Sequence, residues 1–61
     1  MAIKATKQGE ETLWIVYSQF TNAGDYEKCV VKHAKEGWNL EHGFDYGDLI
    51  NLYGNQIKEA K

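Results

Sequence analysis

The chain has no arginine, no proline and a single cysteine, Cys29, among its 61 residues. Each absence excludes something. One thiol cannot close an internal disulfide, so packing and hydrogen bonding alone have to hold the fold. With no apolar export segment behind the N-terminal lysines, a reducing compartment, the cytoplasm, is the expectation. Arginine supplies the planar fork that reads guanine and grips phosphate, so its absence disfavours sequence-specific DNA binding. Long apolar runs are missing too: the longest, Leu13 to Tyr17, is far too short to cross a membrane. Charge of one sign is also lacking. Seven lysines stand against nine aspartates and glutamates, a net −2 that describes an ordinary solvated surface.

What the chain does have is apolar and aromatic content, 43% and 13%, enough for residues 1–61 to form one folded domain. There is no repeat, low-complexity stretch or linker. Thr12 to Phe20 is dense in β-branched and aromatic residues and reads as a strand, preceded by a looser alternation over 2–7 and a turn at Gln8-Gly9-Glu10-Glu11. The two segments predict an N-terminal hairpin. Asn22 then offers an N-cap, with Asp25 in the first turn, for a helix running to Glu36. Tyr26, Cys29, Val30, His33 and Ala34 share one face of it, Lys28, Lys32 and Lys35 the other, and Gly37 is placed to end it.

Trp38, Leu40, His42 and Phe44 alternate with Asn39, Glu41 and Gly43 at strand period. The junction Glu36-Gly37-Trp38-Asn39-Leu40 is similar to the E-G-W-x-L junction of some short bacterial domains with strand, helix, strand order. That resemblance implies a strand after the helix and brings no activity with it. The last third is ambiguous. Gly54-Asn55 is a hairpin pair, favouring a strand over 49–53 joined through a turn at Tyr46-Gly47. Against it, Leu49, Ile50, Leu52, Tyr53 and Ile57 also fit a helical face capped by Asp48, with Lys58-Glu59-Ala60-Lys61 as a helical tail. The expected fold is α+β: a small antiparallel sheet of three to four strands with one amphipathic helix on a face, in ββαββ order, or ββαβα if the C-terminus is a second helix.

The strand at 12–20 is apolar on both sides, Leu13, Ile15 and Tyr17 on one and Trp14, Val16 and Phe20 on the other. One helix covers one face only, so the other is expected to be covered by the C-terminal segment or left for a partner. Trp and Tyr anchor interfaces, which selects Trp14, Tyr17, Phe20 and Trp38 as partner-binding candidates, with Phe44 and Tyr53 behind them. The expectation is a non-enzymatic interaction module (an adaptor, inhibitor or accessory regulator) that docks an apolar sheet face or a sheet edge on another protein, and pairs with a second copy of itself as a homodimer. The alternative is nucleic-acid binding through Lys28, Lys32 and Lys35 with aromatic stacking, although the interleaved basic, glycine and aromatic strand motif of such binders is missing.

Other chemistry finds little footing. Cys29 and His33, one helical turn apart, have the spacing of a nucleophile and base or of two zinc ligands. Zinc needs two more donors, for which His42 with Glu41 or Asp45 is the sole pool. A free cysteine among Val30 and Ala34 is more commonly a small buried hydrophobe, with His33 at the core margin. The carboxylates lie in turns and helix ends, where water keeps their titration ordinary, and chains this short rarely enclose a substrate pocket. No catalytic residue, metal or cofactor is expected.

Overall fold

The computed structural model of the chain describes residues 1–60, Asn55 through its backbone only. Lys61, at the end of the expected tail, lies outside the described residues. Strand β1, Ala2–Thr6, is the middle of a three-stranded antiparallel sheet, with β2, Leu13–Val16, on one side and β3, Asn39–Phe44, on the other. Ile3 stands opposite Ile15, and Lys4 opposite Trp14. Successive side chains point to opposite faces, so Ile3, Ala5, Leu13 and Ile15 line one side of the sheet and Ala2, Lys4, Trp14 and Val16 the other.

Helix α1, Ala23–Lys35, lies on the Ile3 side. Its start follows the cap chemistry: the Asn22 side-chain oxygen accepts the Asp25 amide at 2.9 Å. At the other end Trp38 N–H donates to the His33 carbonyl at 3.1 Å, and Gly37 N–H to that of Ala34 at 3.2 Å. This pair of bonds satisfies two of the otherwise orphaned last carbonyls, and the Trp38 ring closes edge-on against His33 with centroids 5.6 Å apart. Gly37 sits at φ +91° with nothing within 4 Å of where a Cβ would go, so the cost of adding one is purely conformational. Gly37→Ala is expected to destabilise the fold by about 1–2 kcal/mol, lowering the melting temperature by several degrees in a circular-dichroism melt.

Helix α2, Tyr46–Tyr53, settles the ambiguous last third as ββαβα. The expected strand over 49–53 is a helix. Its cap is Asp45, not Asp48: the Asp45 carboxylate accepts the Gly47 amide at 2.7 Å and the Asp48 amide at 3.4 Å. Gly54, which could have been half of a hairpin turn, ends the helix instead and leads into a 3-10 turn, Gly54–Gln56. α2 puts Leu49 into a cluster with Ala2, Trp14 and Val16, to which Phe44, Tyr46 and Ile57 add partly buried rings and methyls. The second face of the sheet is therefore covered by the chain's own C-terminal segment.

Two further features close the structure. The β1–β3 register slips between Ala2 and Lys4, where Ile3 faces both His42 and Gly43. Gly43, at φ +98°, supplies the backbone that such a bulge requires. The extra residue turns Phe44 off the Leu40 face and onto Trp14, with ring centroids 5.0 Å apart at 80°. Beyond the 3-10 turn, the expected helical tail runs extended beside β2. Trp14 N–H donates to the Lys58 carbonyl and Ala60 N–H to the Trp14 carbonyl, both at 2.9 Å, in a parallel bridge. The outer edge of β2 is thereby paired over Trp14.

Candidate docking site

The four partner candidates are not gathered on one surface. Trp14 is 6% exposed and belongs to the core beneath α2. Of the two expectations for its face, cover by the C-terminal segment or a surface left for a partner, the structure has the first, since α2 shelters it. Trp38 is half-buried at the far end of α1, with the Lys7 ammonium 5.8 Å over its ring. Tyr17 and Phe20 do come together. β2 ends at Val16, and a 3-10 turn over Tyr17–Gln19 swings both rings toward the start of α1. There Tyr26 receives them edge-on, Tyr17 at 4.9 Å and Phe20 at 5.7 Å between centroids. Tyr17 stays 50% exposed.

Tyr26 also belongs to a seam between α1 and β3. Ile3 and Val30 form its floor, Val31 and His42 its rims, and Glu27 one end, enclosing about 210 Å³. Val31 is 48% exposed. Its signal was present in the sequence as a valine on the lysine side of the helix, outside the apolar face. The seam meets β3 at His42, and β3 is the last strand on its side of the sheet. One edge of the sheet is closed by Lys58–Ala60; the other has no strand laid on it among the described residues. Unpaired edges with an adjoining apolar groove accept extended peptide, the main chain supplying affinity and the groove supplying selectivity.

Lys28, Lys32 and Lys35 line the outer surface of α1 around Val31, with Glu27 and Glu36 among them. Trp14 is on the opposite side of the sheet, so the lysines and that indole do not form a joint stacking surface. Lys4 points to the Trp14 side and Lys7 lies over Trp38, so neither extends the stripe.

Cys29 and His33 do meet, with Sγ 3.7 Å from Nδ1. The ring nitrogen is already engaged, however: Nδ1 lies 2.8 Å from the Cys29 carbonyl. A carbonyl only accepts, so Nδ1 carries the hydrogen and has no lone pair for the thiol. Burial pushes the Cys29 thiol above its ordinary pKa, against a smaller opposite pull from Lys32. That is the reverse of what an activated thiolate needs. Among the described residues no three of His, Cys, Asp and Glu converge as a metal ion would require. No helix is long and apolar enough to cross a membrane among those residues.

The carboxylates have local roles. Asp45 caps α2, Asp25 sits in the first turn of α1, and Glu11 pairs with Lys58 at 2.7 Å. That contact draws the Glu11 carboxyl below and holds the Lys58 ammonium above its ordinary value. Both groups are well exposed, at 76% and 59%, so the pair contributes little stability. Compared with protein-family models, curated proteins and solved structures, the chain matches none of them.

Proposed function

We propose that this chain is a small non-enzymatic protein-interaction module that takes an extended segment of a protein partner onto the free edge of β3. The observation that supports this is the difference between the two sheet edges: the chain spends its own tail closing β2 and leaves β3 unpaired beside an apolar seam. The bulge at His42–Gly43 ends the regular ladder, so the docked segment registers against Asn39–Glu41. One of its apolar side chains enters the seam over Ile3 and Val30, beside the Tyr26 ring that Tyr17 backs edge-on, rings whose few torsions cost little entropy to fix. Self-association, expected from the sequence to run through the Trp14 face, finds Trp14 and Val16 themselves covered by α2.

Val31→Glu tests the reading. The site is on the helix surface, so the variant is expected to keep its melting temperature to within about 0.5 kcal/mol of stability. Peptides selected from an extended-segment display library on the wild-type protein should bind it at least roughly tenfold more weakly, a loss of about 1.4 kcal/mol. Amide shifts induced by those peptides should fall on 39–44 and on the α1 residues of the seam. Equal binding by the variant, with shifts elsewhere, would refute the proposal.

A further inference from the structure

A separate cleft of about 410 Å³ opens on the other side of the sheet, under the end of α2. Its residues come from distant parts of the chain. Lys4 of β1 and Trp14 of β2, direct cross-strand neighbours, make the floor; Thr12 forms one wall, and Tyr53 and Gln56 the other. The Lys58–Glu11 ion pair sits at its mouth.

Lys4 is the unusual member. It stands on the central strand of the sheet and is half-buried. Its cross-strand neighbour on the other side, Glu41, points to the same face without forming an ion pair with it; among the described residues, the ion pair formed is that of Lys58 with Glu11. An ammonium held partly out of water and in no ion pair gains from an anion that reaches it. The lining charges, Lys4 and Lys58 positive and Glu11 negative, sum to one positive charge. Around that charge the walls are planar and apolar or neutral and hydrogen-bonding. The Tyr53 ring is tilted 39° to the Trp14 indole at a centroid distance of 6.1 Å and is 47% exposed, which leaves a ring face toward the cleft. The Thr12 hydroxyl and the Gln56 carboxamide supply a donor and acceptors at the walls.

We infer that this cleft binds a small planar aromatic monocarboxylate, its carboxylate on the Lys4 ammonium and its ring against Tyr53. The volume falls in the range of small-ligand sites, about 300–1,000 Å³. A single positive charge favours a monoanion, and an aromatic face favours a ring over an alkyl acid. The site lies on the opposite face of the sheet from the seam between α1 and β3.

The test is a titration of the intact chain followed by amide chemical shifts, with benzoate as probe and benzamide, acetate and inorganic phosphate as controls. Benzoate is expected to give saturable shifts at Lys4, Thr12, Tyr53 and Gln56, and benzamide to bind at least roughly tenfold more weakly because it carries no charge. Acetate and phosphate should fail to saturate. Lys4→Met keeps an unbranched apolar stem one atom shorter and removes the charge, and should lose benzoate binding by the same factor. Tyr53→Leu, at a half-exposed position, should weaken benzoate and leave the fold in place. Benzamide binding as well as benzoate, acetate or phosphate saturating the same amides, no saturable shift with benzoate, or wild-type affinity in Lys4→Met would each overturn the assignment.

Discussion

Trp14→Ala is expected to unfold the protein at room temperature, not to bare a docking surface. The indole is 6% exposed and meets Phe44 edge-on at 5.0 Å and Tyr53 at 6.1 Å, in one cluster with Ala2, Val16 and Leu49. Truncating a core tryptophan costs about 3–5 kcal/mol. A single core in a chain this short rarely supplies more than about 3–5 kcal/mol in total. The two figures are equal, so the folded fraction should collapse: far-ultraviolet dichroism at 25 °C should lose its helical signal and the amide spectrum its dispersion. Trp14→Phe, which keeps a ring against Phe44 and Leu49, should cost about 1–2 kcal/mol and remain folded with a lowered melting temperature. Tyr17→Ala, at a half-exposed ring, should shift the melt little. A Trp14→Ala protein that melted within a few degrees of wild type would mean that α2 does not close over this face, and the case for a self-sheltered sheet would fall.

Much of this arrangement can be read from residue order, because some signals are local. Asn22 and Gly37 bracket α1 through hydrogen-bond chemistry that lies within a few residues of each. Leu13 to Val16 has the β-branched density of a strand. The C-terminal third was ambiguous because Leu49, Ile50, Leu52 and Tyr53 satisfy a strand and a helix equally, and Gly54 serves as a turn or as a stop. What decides between them is not local. The Trp14 face needed an apolar cover about one helix wide, and eight residues of helix capped by Asp45 provide it. The strand that is apolar on both sides was thus evidence about the chain's own C-terminus. Strict alternation puts Phe44 on the Leu40 side because it cannot register a bulge; only the pairing of Ile3 with both His42 and Gly43 exposes it. The proposed docking site was half legible. Tyr17 and Phe20 were visible as aromatic surplus, whereas the seam of Ile3, Val30 and Val31 depends on strand order, which spacing along the chain does not fix. The Lys4 cleft was invisible for the same reason, since three separate stretches of chain, at 4, 11–14 and 53–58, assemble it.

A chain ending at Gln56 is expected to be both less stable and self-associating. Its missing residues carry two main-chain bonds to Trp14, each 2.9 Å, and the partly buried Ile57 side chain of the core cluster. Two net hydrogen bonds at about 1 kcal/mol each and a half-buried isoleucine at about 1 kcal/mol sum to roughly 3 kcal/mol. The Lys58–Glu11 pair, exposed on both sides, adds nothing that a melt would detect. Removing the tail also strips the cover from β2, whose Trp14 N–H and carbonyl then face solvent as an unpaired edge. Light scattering should therefore show a mass that rises with concentration, and the Trp14 amide should exchange with solvent far faster than in the full chain. Ala60→Pro separates the two effects. It deletes one donor, Ala60 N–H, and leaves Ile57 in place, so it should cost about 1 kcal/mol with little change in mass. If the shortened chain kept the melting temperature, mass and Trp14 exchange of the full one, the tail would not be closing β2 at all. The two edges of the sheet would then be equivalent, and nothing would single out β3 as the one left open for another protein.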